Sequence, residues 1–140
     1  MTKIVWIASY PRSGNTWTRF ILANLLFGKL DNSADLQRKI PDIHSGVAGV
    51  HLWGKGTTLV KTHWMWVKDM PLREDTAGAI YVVRNPSDVM ESNQHFSMLR
   101  SGGSLKKANP EARVVAARAF IDQYLANGGH PNFLKFGLGR

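Results

Sequence analysis

The chain has 140 residues, 44% of them hydrophobic, enough for one domain with a real core. It contains no cysteine, which excludes a disulfide framework and a cysteine-based zinc site and fits a cytoplasmic setting. Lys and Arg total 18 against 10 Asp and Glu, and the net charge of +8 favours anionic partners such as nucleotides. The positive residues are scattered, so no basic stripe marks a nucleic-acid binder. The N-terminal apolar run is short and meets Arg12 without a cleavage-type site, and no apolar stretch approaches membrane-spanning length. Neither a signal peptide nor a membrane span is expected.

Ile4 to Ala8 forms a short apolar run with β-branched and aromatic residues and reads as a buried strand. Pro11 and Gly14 mark a turn. A helix follows over 15–27, stopped by Gly28, with Trp17, Phe20, Ile21, Asn24 and Leu25 as its apolar face. A short helix over 33–40 is predicted with Ser33 as its N-cap, ending before Pro41. Residues 42–56 read as an irregular loop. Thr57 to Thr62 is a second strand, with His63 at or just past its end and an apolar loop or helical turn at Trp64 to Val67. Ala79 to Val83 is the third strand and the clearest. Asn85 as N-cap, Pro86 at the first position and Asp88 in the first turn open a third helix. Val89, Asn93, Phe96 and Arg100 mark its stripe, and the run 101–104 ends it. A last helix spans 110–126, with Ala112, Val115, Ala116, Ala119, Phe120 and Tyr124 on one face and Gly128–Gly129 as its stop. This order predicts an α/β fold, a parallel sheet covered by helices, with ligands at the carboxyl ends of the strands.

Three motifs fall at such ends. Tyr10 to Trp17, YPRSGNTW, joins the first strand to the first helix. Unpartnered N–H groups at a helix start make an anion site, and Arg12, Ser13, Asn15 and Thr16 add side-chain donors. Gly14 permits close backbone approach. The spacing is not GxxxxGK[ST], and no Lys follows Gly14, so a Mg²⁺–nucleoside triphosphate site is poorly supported. An ordinary capped turn explains Gly14 and a cap, but not four donors together. The second motif is Lys61-Thr62-His63, where His63 is placed to act as a general base near neutral pH. His44, His51, His95 and His130 lack that placement. In the third, Arg84 ends a strand and Ser92 lies two turns into the following helix, a pair suited to a second phosphate. The plain alternative is a salt-bridged Arg and a solvent-facing Ser. Trp6 and Trp17 read as core, whereas Trp64 and Trp66, next to His63, suit a pocket.

In this order and spacing the motifs resemble the sulfotransferase family, whose members move the sulfuryl group of 3′-phosphoadenosine-5′-phosphosulfate (PAPS) to a hydroxyl or amine. The family's Y-P-K-S-G-T-T-W loop is matched from Tyr10 to Trp17 except at Arg12 and Asn15, its K-T-H by Lys61 to His63, and its Arg-x₇-Ser by Arg84 and Ser92. The resemblance implies a P-loop NTPase-like parallel sheet. It also implies PAPS as co-substrate with no metal, and His63 as catalytic base helped by Arg12. Nucleotide contacts are implied from Arg12, Ser13, Gly14, Asn15, Thr16, Trp17, Arg84 and Ser92. The acceptor is expected to be a small molecule, lipid or glycan, with no nucleic acid as partner. Family domains run to about twice this length by typical α/β sizes, so residues 1–140 are expected to be the N-terminal part of one longer domain, truncated at the C-terminus. An inactive PAPS-binding fragment is the alternative, and a P-loop phosphotransferase a more distant one.

Overall fold

A computed structural model describes residues 2–46, 56–100 and 109–126. The predicted stops at 101–104 and Gly128–Gly129, most of the 42–56 loop, His51, Trp53 and His130 lie outside the described residues. The chain divides into two compact units, Met1–Val83 and Arg84–Arg140.

In the first unit, three strands, β1 (Lys3–Ser9), β2 (Thr57–Thr62) and β3 (Thr76–Val82), form a parallel sheet in the order β2-β1-β3. β1 is therefore central. The chain goes first to one side of it and then to the other, and an open α/β sheet has its crevice at such a reversal. Strand periodicity sends alternate β1 residues to opposite faces. Ile4 and Trp6 enter one cluster with Ile43, Val60 and Met70. Ile7 enters another with Ala23, Leu36 and Ile40. Trp6 is buried as expected, and its indole N–H donates to Thr76 Oγ1 at 2.8 Å.

Helix α1 (Asn15–Phe27) has the expected span but not the expected face. Its buried residues are Asn15, Arg19 and Ala23, while Trp17 is 76% exposed and Ile21 and Leu25 are exposed with it. The reason is polar. Arg19 donates through Nε and Nη2 to the Ile40 carbonyl and through Nη2 to Gln37 Oε1, and Asn15 Nδ2 donates to the Ile7 carbonyl. Buried backbone acceptors thus hold a polar stripe inward. Arg19 also terminates α2 (Ser33–Lys39), whose last turn leads to Ile40. The N-cap of α2 is Asn32, one residue before the expected Ser33. Asn32 is extended, and its Oδ1 accepts from the Ala34 and Asp35 N–H groups at 2.9 and 3.0 Å.

The described residues of this unit also form short 3-10 turns at Ile43–Ser45 and Arg73–Asp75. The first brings order to the start of the predicted 42–56 loop. β3 starts three residues earlier than expected. Trp64 packs against the Ile4–Trp6 cluster, and Trp66 is exposed with the Arg73 guanidinium 4.8 Å from its ring centre.

The second unit contains α3 (Pro86–Arg100) and α4 (Pro110–Ala126). Asn85 opens α3 as expected: its Oδ1 accepts from the Ser87 N–H at 3.0 Å and its carbonyl from the Val89 N–H at 3.1 Å. Val89 and Asn93 are buried, whereas Phe96 is 38% exposed. On α4, Ala116, Ala117, Phe120, Ile121 and Tyr124 are half-buried, whereas Ala112, Val115 and Ala119 are exposed, so the covered face is rotated from the predicted one. Phe120 and Tyr124, one turn apart, meet at 5.8 Å between ring centres.

Candidate active site

The β1–β2 register pairs Ala8 with Thr62, so Ser9 and His63 leave the sheet side by side at its carboxyl edge. After Ser9 the chain makes a tight turn, with the Ser13 N–H donating to the Tyr10 carbonyl at 3.2 Å. Two residues of this turn have left-handed backbone, Arg12 at φ 70° and Gly14 at φ 103°. The second is natural for glycine; the first is a strained conformation for arginine. A Cβ placed on Gly14 would meet no atom within 4 Å, so backbone geometry rather than crowding selects glycine there.

Gly14 is the N-cap of α1, no side chain caps the helix, and its first turn holds no acid. First-turn N–H groups and the positive end of the helix dipole are thus offered to an anion. Arg12 and Thr16 are exposed at this end, and Ser13 is buried in the turn. Asn15 is buried, and its Nδ2 is committed to the Ile7 carbonyl and to Ser9 Oγ at 2.8 and 3.0 Å. Its side chain ties the turn to β1.

His63 faces this turn from β2. Its Nδ1 lies 2.7 Å from the Ser9 carbonyl and 3.3 Å from Ser9 Oγ. A carbonyl only accepts, so Nδ1 carries the proton and Nε2 the lone pair. Burial first, and then the charge of Lys61, push the His63 pKa down to about 4. The ring is therefore neutral at pH 7. Thr62 Oγ1 accepts from the Trp64 N–H at 2.9 Å and turns the chain just past His63.

Lys61, the first residue of the second motif, is an ion-pair partner. Its Nζ lies 2.6 Å from Asp42 Oδ2, both side chains being largely buried. Burial alone would raise the Asp42 pKa; the hydrogen bond and charge of Lys61 outweigh it and hold the carboxyl below its ordinary value. The Lys61 N–H also donates to the Pro41 carbonyl at 2.8 Å. Asp42 in turn accepts from the His44 N–H at 3.0 Å, and His44 Nε2 accepts from the His63 N–H at 2.8 Å. Sequence reasoning passed over Asp42 and Ser9 and set His44 aside, although His44 lies against His63. Only Asp42, a short acceptor just after a proline and before a turn, carried a local signal.

Arg84 and Ser92 belong to the second unit. Arg84 lies two residues past β3, partly exposed, with Nε 3.5 Å from Asp88 Oδ2. Ser92 is half-buried on α3. Among the described residues, no group of three or more His, Cys, Asp or Glu is arranged to hold a metal, and no helix is long and apolar enough to cross a membrane.

The sequence model of the sulfotransferase domain matches residues 2–129. The chain belongs to the sulfotransferase family. It is 31% identical over 98 residues to an amine sulfotransferase of Oryctolagus cuniculus, covering 66% of this chain and 33% of that protein. Against cytosolic sulfotransferase 1 of Danio rerio it is 32% identical over 108 residues, covering 68% of this chain and 36% of the relative. Against sulfotransferase 1B1 of Canis lupus familiaris it is 30% identical over 112 residues, with the same coverage of 68% and 36%. The chain thus spans about a third of the length of the curated relatives it matches. The fold of this sulfotransferase chain is mixed α/β with a small parallel sheet flanked by helices, and sulfuryl transfer is the family's general chemistry.

Proposed function

We propose that this chain carries the donor-binding and proton-transfer half of a PAPS-dependent sulfotransferase domain with a P-loop-like core. The observation that carries this reading is the pairing, at one sheet edge, of an uncapped helix start with a neutral imidazole whose Nε2 holds the lone pair. The turn from Tyr10 to Trp17 holds the 5′-phosphosulfate, through Ser13, Gly14 and the N–H groups of Asn15, Thr16 and Trp17. Exposed Trp17 offers an aromatic face to the nucleotide. The same reading assigns Arg84 and Ser92 to the 3′-phosphate.

In the reaction, an acceptor O–H or N–H loses its proton to His63 Nε2 as its heteroatom bonds to sulfur. The bond from sulfur to the bridging oxygen breaks, and 3′,5′-bisphosphoadenosine (PAP) leaves. Arg12, Thr16 and the helix start stabilise the charge that moves onto the leaving phosphate. Arginine keeps the positive charge found at this position in the family's usual motif and adds a bidentate fork. A bound anion next to His63 opposes the effects of burial and Lys61, raising its basicity when the donor is in place. No metal takes part. The acceptor is a small molecule, lipid or glycan, and the zebrafish relative's description as cytosolic supports a cytosolic setting.

His63→Gln is expected to abolish sulfuryl transfer from PAPS while PAP affinity, measured by calorimetry, changes less than threefold. Loss of both together would remove the base assignment.

A further inference from the structure

We propose that His44 is a positioning residue for His63, acting through the bond from the His63 backbone N–H to His44 Nε2; this rests on the reading of His63 as the base. His63 sits just past the end of β2, where the ladder no longer holds the backbone. A side chain from another segment takes over there. His44 Nε2 accepts the His63 N–H at 2.8 Å, and the two rings stack with centroids 5.4 Å apart and planes at 21°. On its other side the His63 ring reaches the Ser9 carbonyl at 2.7 Å. The imidazole is thus held from both sides, by β1 at Nδ1 and by His44 at its backbone and ring face.

The segment bearing His44 is itself fastened to β2. Asp42 bridges Lys61 in parallel register, the Lys61 N–H donates to the Pro41 carbonyl, and the buried Lys61–Asp42 ion pair closes the connection. Asp42 Oδ1 then accepts the His44 N–H and fixes the 3-10 turn. The lysine of the K-T-H motif therefore anchors the segment that braces the histidine of the same motif. Because His44 Nε2 accepts a proton-bearing group, its own proton lies on Nδ1, and it is not a second base. The ionisable groups acting on His63 are Lys61, His44 and Asp42.

The test is the imidazole ¹⁵N spectrum of His63 in the 140-residue chain at pH 7. It reports the tautomer without requiring turnover. The parent chain is expected to show one tautomer, with Nδ1 protonated. His44→Gln places an amide oxygen near the position of Nε2, keeps the acceptor and should keep that tautomer. His44→Phe keeps a ring but removes the acceptor, and should give a mixture in which Nε2–H exceeds about a tenth of the population. A single tautomer in the Phe variant, or a mixture in the Gln variant, overturns the proposal. In a transfer assay with PAPS, His44→Phe should lower kcat about tenfold with little change in the KM for PAPS, and His44→Gln should restore most of it. The His63→Gln assay separates the two ideas. Transfer that survives in that variant rejects His63 as base, whatever the spectrum of the His44 variants shows.

Discussion

His63 owes its chemistry to its surroundings. Its place after Lys61-Thr62 at a strand end was legible, because a short β-rich run and its polar stop are local signals. What fixes its tautomer for the proposed role as base was not legible. The Ser9 carbonyl lies 54 residues away in sequence and His44 lies 19 away, and nothing in single-residue patterning pairs them. Burial holds His63 neutral in the fold, with its pKa near 4 against an ordinary 6.5, and the His44 pKa is also lowered, chiefly by burial. The unfolded chain binds those protons first as pH falls. Stability is therefore highest above pH 6.5 and falls as pH drops, for His63 over the range from 6.5 toward 4, with the lowered His44 pKa acting in the same direction. The slope is at most about 1.4 kcal/mol per pH unit for each ring. Denaturant unfolding measured between pH 7.5 and 5 is expected to show this fall, and His63→Gln should make it shallower. An equal slope in both proteins would mean that His63 is not held neutral by the fold.

At the scale of elements, the positions of β1, α1, β2 and α3 followed from apolar runs, glycines and the Asn85 cap. The inward face of α1 did not. Counting apolar residues selected the Trp17–Ile21–Leu25 stripe, yet Asn15 and Arg19 turn inward because buried carbonyls of Ile7 and Ile40 accept from them. Hydrophobic periodicity carries no information about such acceptors. The helix start depends equally on backbone geometry. At φ 103°, Gly14 occupies a conformation that costs an L-residue about 1–2 kcal/mol. Gly14→Ala should therefore destabilise the chain by about that amount and weaken PAP binding at least tenfold, as chemical denaturation and calorimetry would reveal. A Gly14→Ala chain with parental stability would show that the left-handed turn is not required.

For the whole molecule, the parallel α/β class was legible from the alternation of strand and helix signals, and the β2-β1-β3 order places the first two motifs at one edge of the sheet. The excess of positive charge suits an anionic ligand, and the proposed reading gives the 5′ and 3′ groups of the nucleotide to different motifs. Arg84 carries the test of that division. Arg84→Ala should weaken PAP at least tenfold and adenosine 5′-phosphosulfate, which lacks the 3′-phosphate, by less than threefold. An equal loss for both ligands would take Arg84 out of the 3′-phosphate site.

The central claim, that the Tyr10–Trp17 turn belongs to a PAPS site and not to a metal–triphosphate site, is tested most directly by isothermal calorimetry on the folded 140-residue chain with EDTA present. PAP is expected to bind at one site with unchanged affinity when Mg²⁺ replaces EDTA, and to raise the unfolding midpoint, while ATP fails to compete. Mg²⁺-dependent binding of ATP with no binding of PAP would contradict the account.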